Sequence, residues 1–327
     1  MEPGTSRSAD SGGSPRRDAR ASRRKKDRKG RWLRLVGGGI GSLVVLAALG
    51  VGAGLFLADR TMARRVDVQV RPVALRDDAA AIERGAYLYA SRGCAECHGE
   101  DGGGRVFVDE ANGLRLAGPA ITNAPGSVVA GYQPADWVRS IRHGVDPRGR
   151  PLMIMPSEDF NRFTDDDLAS VVAYVRSLPP AAARAAVLEL PLPVRVLYGF
   201  GMIKDAAAKI DHRLPPSMPV PEGINPEHGK YVAAMCIGCH GEHLSGGRIP
   251  GGPPDWPPAS NLTPGEGSAL VRYPDADSLI AMFRSGRRAD GTPIPVMPFE
   301  SLGRLNDTDV RALHLYLSGL PPRAQGR

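Results

Sequence analysis

The chain has 327 residues, 42% of them hydrophobic and 24% charged, with a formal net charge of +7 and four cysteines. That length allows two modest cores. Residues 1–34 hold twelve Lys/Arg against four Asp/Glu, a net of +8, so the remainder carries −1, which excludes a folded surface that grips nucleic acid by its charge.

In chain order, residues 1–34 read as a disordered, basic, cytoplasmic tail, Ser/Gly/Arg-rich and almost free of large apolar residues. The 24 residues Leu35–Ala58 carry no charge. As a helix they reach about 36 Å, enough for a hydrocarbon layer of about 30 Å. Trp32 suits one interface and Asp59-Arg60 closes the other end. The basic flank predicts the tail in the cytoplasm and everything after Asp59 on the outer, periplasmic side of a bacterial inner membrane. A cleaved signal peptide, whose apolar stretch runs about 7–15 residues, is the alternative, and the seven glycines in the span leave it open. Export follows either way.

Beyond the span the chain repeats itself at an offset of 142 residues. Cys94-Ala95-Glu96-Cys97-His98-Gly99 falls on Cys236-Ile237-Gly238-Cys239-His240-Gly241, Met155-Pro156 on Met297-Pro298, and Asp165 and Asp167 on Asp307 and Asp309. Tyr174 falls on Tyr316, and Gly85-Ala86-Tyr87 on Gly229-Lys230-Tyr231 with a two-residue slip. The repeat defines two domains, 78–180 and 223–323, joined by a linker strap, 181–222. Each domain is expected to be all-α. Short helices at Ala79–Ser91 and Glu227–Met235 lead into the Cys motifs. Pro134–His143 and Asp275–Ser285 follow Gly/Pro-rich loops. Asp165–Leu178 and Asp307–Leu320 close the domains, their acidic first turns suiting the helix dipole. The strap, with the aliphatic stretch Val194–Ile210 among prolines, is expected to pack one helix against a domain or to rest on the membrane surface.

Every cysteine belongs to a C-x-x-C-H motif. Two thiols at this spacing add across the two vinyl groups of one porphyrin, and the adjacent His lies beneath the iron. A zinc ribbon needs its second pair about 15–20 residues on, not 142. A thioredoxin-like centre needs a βαβ setting, and structural disulfides give no reason for a His after each pair. The expectation is two covalent haem c groups, held by Cys94, Cys97 and His98 and by Cys236, Cys239 and His240. For the sixth iron ligand the repeat selects Met155 and Met297, each 57 residues after its His and followed by Pro. Met153 falls on Pro295 and has no counterpart. Thioether ligation favours Fe(II), as suits an electron carrier. Arg142 and Arg284 are expected at haem propionates or on a solvated face. Tyr87, Tyr174, Tyr231 and Tyr316 are expected in the haem-packing core, and His143, His228, His243 and His314 on the surface.

On these motifs, with Asn261-Leu262-Thr263, the chain resembles a tandem class I cytochrome c over about 200 residues. It is similar to membrane-anchored dihaem cytochromes and to the cytochrome subunits of bacterial alcohol and aldehyde dehydrogenase complexes. The resemblance implies helical haem-wrapping domains and single-electron transfer from a periplasmic dehydrogenase or quinol-oxidising partner toward a terminal oxidase, with no catalytic residues. Those subunits often carry three haems, whereas this chain has two motifs. The rival reading, a dihaem redox enzyme such as a peroxidase, needs one open or displaceable iron site, against which the paired methionines speak.

Overall fold

The computed structural model describes residues 15–182, 184–253 and 255–327. The chain divides into two compact units, one ending at Ala53 and one running Gly54–Arg327.

Helix α1 spans Pro15–Ala63. It begins well before Leu35, which corrects the expectation of a disordered tail over residues 15–34; residues 1–14 lie outside the described residues. The physical reason is that Arg, Lys and Ala are good helix formers, and extending a helix already nucleated by the apolar stretch needs no second nucleus. Its part Arg34–Ala63 is long and apolar enough to cross a membrane, holding an 18-residue window of mean hydropathy 2.3, and leaves Leu43, Leu46 and Leu49 exposed.

In the larger unit the first repeat forms α2 (Ala79–Ser91), α3 (Cys94–His98), β1 (Val106–Asp109), β2 (Arg115–Ala117), α4 (Pro134–His143), α5 (Ser157–Phe160) and α6 (Asp165–Ser177). The linker adds β3 (Val187–Glu189), α7 (Leu192–Gly199) and α8 (Ala206–Lys209). The second repeat forms α9 (Pro226–Ala233), a 3₁₀ turn (Ala234–Cys236), α10 (Ile237–His240), α11 (Ala276–Ser285), α12 (Phe299–Leu302) and α13 (Asp307–Ser318). The fold is mostly helical, as the sequence implies. It departs from that reading in one small antiparallel sheet, ordered β1-β2-β3, in which the linker strand pairs Leu188 with Leu116. Strands of three or four residues are too short to show a period in sequence.

Helix starts follow local chemistry. Asp78 accepts from Ala81 N to cap α2, Thr164 from Asp167 N to cap α6, and Asn306 from Asp309 N to cap α13. Each repeat has its own core. Leu88, Tyr89, Trp137, Phe160, Leu168 and Val172 build the first, and Val232, Phe283, Leu302, Leu305, Val310 and Leu313 the second.

The helix before each Cys motif crosses the repeat's last helix at a glycine. A Cβ on Gly85 would overlap the Ser170 carbonyl, and one on Gly229 the Ala312 carbonyl, two positions also 142 apart. Backbone lies against backbone here, so no side chain fits at all. Gly85→Ala is expected to cost about 3 kcal/mol or more by forcing the crossing apart, read as a lower urea midpoint; a loss below about 0.5 kcal/mol would mean the crossing is looser than described.

Candidate functional site

The short helix α3 presents Cys94, Cys97 and His98, entered through Gly93 (φ 83°) and left through Gly99 (φ 77°). Both conformations are left-handed, which glycine adopts without penalty. The second motif ends likewise at Gly241 (φ 78°). None of the four cysteines is joined in a disulfide. Burial pushes the Cys94 and Cys236 thiols up to about 12 and Cys97 to about 11, and raises Cys239, so the surroundings favour neutral sulfur. That environment suits a thioether and argues against a nucleophilic thiolate.

Each histidine is oriented by a loop carbonyl. His98 Nδ1 lies 2.9 Å from Pro119 O and His240 Nδ1 lies 2.8 Å from Ser260 O. A carbonyl can only accept, so Nδ1 carries the proton and Nε2 keeps its lone pair, the tautomer that a metal ligand requires. Burial lowers both imidazole pKa values, against the smaller opposing effect of the carbonyl bond. The two loops match with a one-residue slip. Ile121 N donates to Gly102 O as Leu262 N does to Leu244 O, and Thr122 Oγ1 accepts from Ala181 N as Thr263 Oγ1 does from Arg323 N. Asn261, fully buried, holds the second loop through Glu266 O, Arg323 O and both the N and Oγ1 of Thr263.

Met155 packs on the first core, as do Cys94 and Ala95, and Met297 packs on the second, as do Cys236 and Ile237. Matching turns follow, Ser157 N donating to Met155 O and Phe299 N to Met297 O. The repeat thus brings a neutral histidine, a thiol pair and a methionine to one core twice, a donor set that fits covalent haem.

The two motifs also meet each other's repeat. Glu96 Oε1, inside the first motif, accepts from Ser301 N at 3.0 Å; Asp159 Oδ1 accepts from Gly238 N, inside the second, at 3.0 Å. These four positions pair off at the same 142-residue offset, so the contact is a pseudo-two-fold one. The tyrosines obey the same symmetry. Tyr87 OH donates to Asp309 Oδ2 (2.7 Å) and accepts from Asn306 N, while Tyr231 OH donates to Asp167 Oδ2 (2.6 Å) and accepts from Thr164 N. Arg84 binds Asp167 through two nitrogens, and in the equivalent place His228 Nε2 lies 2.7 Å from Asp309 Oδ1. Arg92, 3% exposed, adds a cation at Asp309, which is 0% exposed.

Several expectations change here. Tyr87, Tyr174 and Tyr316 pack on the cores as expected, but the hydroxyls of Tyr87 and Tyr231 also clasp the opposite repeat. His228 is buried rather than on the surface, because it serves Asp309. His143 is buried too, its Nδ1 3.1 Å from His212 Nδ1 in the linker, and burial then His212 bring its pKa down to about 4. Arg142 donates to Phe163 O and pairs with Asp165, and Arg284 donates to Leu305 O and Asp307, so both brace the start of the last helix.

An imidazole with a free Nε2 that directly follows a thiol pair, as α3 and α10 each present, is the arrangement expected of a cytochrome c domain. Residues 80–175 match the family model "Cytochrome C oxidase, cbb3-type, subunit III", and this part of the chain is similar to such a domain. The family implies covalently bound haem c. The chain as a whole is similar to the fructose dehydrogenase cytochrome subunit of Gluconobacter japonicus, 28% identical over 75% of this chain and 53% of the relative. It is similar to the gluconate 2-dehydrogenase cytochrome c subunit of Pantoea cypripedii, 28% identical over 76% and 62%. The cytochrome c subunit of alcohol dehydrogenase (quinone) from Gluconobacter oxydans (strain 621H) is 24% identical over 76% and 57%. The chain therefore spans between about half and three fifths of these relatives.

Proposed function

We propose that the chain is a membrane-anchored dihaem cytochrome c that carries single electrons between a periplasmic dehydrogenase or quinol-oxidising partner and a terminal acceptor. One haem would be held by Cys94, Cys97, His98 and Met155, and the other by Cys236, Cys239, His240 and Met297. Bound there, each haem supplies a one-electron Fe(II)/Fe(III) couple. The residues do the rest. The Pro119 and Ser260 carbonyls fix the histidine tautomers, the methionine thioethers favour Fe(II), and the two cores exclude water.

The observation that carries this reading is the pair of symmetric contacts at Glu96–Ser301 and Asp159–Gly238. They set each attachment motif against the helix that follows the other repeat's methionine, which supports a relay of electrons between two haems inside one chain. The similarity to dehydrogenase cytochrome subunits supports a dehydrogenase as donor. The uncharged stretch Leu35–Ala58 behind a basic flank supports an anchor in the inner membrane with residues 78–180 and 223–323 outside as the two haem domains and 181–222 as their strap.

Cys94→Ala/Cys97→Ala tests the assignment. The variant is expected to keep a single covalent haem, attached to the peptide containing Cys236–His240, and to accept half the electrons in a reductive titration. Retention of two covalent haems would refute the attachment proposed for the first repeat.

A further inference from the structure

The linker helix α7 lies across the last turns of α1. A Cβ on Gly54 would come within 2.9 Å of Val196 Cγ1 and 3.0 Å of Phe200 Cε2, and one on Gly199 would overlap the Gly54 carbonyl. The two helices therefore meet backbone to backbone, with Ala58 and Tyr198 sealed beneath them. Polar bonds latch the crossing. Asp205, 1% exposed, accepts from Arg64 Nη2 (2.7 Å) and from Tyr198 OH (2.7 Å), and Arg195 pairs with Asp59 at 2.8 Å. Consequently α7 stays with the end of α1.

This latched piece leaves large apolar side chains exposed. Leu192 is 53% exposed, Phe200 52% and Met202 73%, and Phe56 on α1 is 62% exposed. The one cation of α7, Arg195, is already neutralised by Asp59, whereas Arg60, Arg65 and Lys204 are exposed near the edges of the patch.

We propose that α7 and the turn to Met202 rest in the outer headgroup layer of a phospholipid bilayer, so that the chain is seated on the membrane as well as tethered to it. The inference rests on the reading of Leu35–Ala58 as a membrane span. That span exceeds the hydrocarbon thickness by about 6 Å, roughly one helical turn. The turn that carries Gly54 and Ala58 is the last of the uncharged run, so α7 meets α1 at the depth where hydrocarbon gives way to headgroups. At that depth exposed Leu, Phe and Met bury favourably, and the flanking cations meet lipid phosphates. A protein partner would have to compete with lipid for the same apolar patch.

The test uses the full chain in phosphatidylcholine proteoliposomes whose acyl chains carry a photoactivatable diazirine, followed by peptide mapping. Adducts are expected on Leu35–Ala58 and also on Leu192–Met202, and Leu192→Ser/Met202→Ser, both exposed positions and neither at the Gly54 crossing, is expected to lose only the second set. Adducts confined to Leu35–Ala58 would overturn the inference and leave the anchor standing. Adducts on neither segment would overturn the anchor and the inference together. In native membranes, crosslinks from Phe200 to a protein rather than to lipid would likewise overturn it.

Discussion

Asp309→Ala is expected to destabilise the unit Gly54–Arg327 by about 3–5 kcal/mol, the cost of breaking a buried ion pair by removing one member. Arg92 would remain buried with its charge uncompensated, and Tyr87 and His228 would each lose a partner. Asp309→Asn keeps the shape and the acceptor but not the charge, so it isolates the electrostatic part. Burial by itself would raise the Asp309 pKa. The hydrogen bond from His228, the Arg92 charge and the bonds from Arg92 and Tyr87 outweigh it and hold the carboxyl well below the usual range. The sign follows: a depressed folded-state pKa contributes stability that is complete above the unfolded value of about 3.9 and is lost as pH falls below it. The acid limb of the wild-type stability curve is therefore expected to flatten in Asp309→Asn, read by denaturant midpoints between pH 5 and pH 2.5 (on the order of one unit either side of that value). An unchanged acid limb would remove Asp309 from the account.

The second large effect concerns iron. Met155→Ala is expected to open one haem only, lowering its potential and admitting carbon monoxide, because the ligand that favours Fe(II) is gone. Met297→Ala should do the same to the other haem, and Met153→Ala should change neither. Met153 lacks both a counterpart in the repeat and a place against the first core, on which Met155 packs. Spectra with added carbon monoxide, taken on each variant, read this directly. Ligand binding by Met153→Ala, or rapid peroxide turnover by the unaltered protein, would contradict the ligand set.

The helices and the candidate ligands were legible in the sequence because they are local or duplicated. Acidic first turns, Gly/Pro-rich flanks and C-x-x-C-H are read within a few positions, and the 142-residue offset distinguished Met155 from Met153. The clasp was not legible. Asp167 and Asp309 sit in the first turn of a helix, where an acid is already accounted for by the dipole, so nothing signalled that they gather buried partners from two repeats. The paired occurrence of Tyr87 with Tyr231 was the available signal, but an aromatic near a Cys motif reads equally well as core. His228 was obscured because its counterpart is Arg84, a different residue type that serves an equivalent carboxylate. The sheet escaped for another reason: β3 comes from the linker, and its pairing with β2 is set by tertiary packing rather than by any alternation of its own.

Two repeats that share one compact unit have a consequence for electron flow. Glu96 ties the first Cys motif to Ser301 of the second repeat and Gly238 ties the second motif to Asp159 of the first, so loosening the clasp is expected to move one motif relative to the other. Tyr87→Phe and Tyr231→Phe, which remove one hydroxyl each from equivalent positions, are expected to weaken the unit by about 1–3 kcal/mol apiece, since each leaves a buried carboxylate short of a donor. Equal losses in thermal unfolding would support the pseudo-two-fold arrangement, and a loss in one variant alone would argue against it.

The central claim is that both repeats bind haem covalently through the same residue pattern, and the mass of the denatured, purified chain tests it most directly. The account predicts a mass increased by two haem groups, with haem-bearing peptides containing Cys94–His98 and Cys236–His240. A single haem, or haem extracted from the chain by acid acetone, would contradict it.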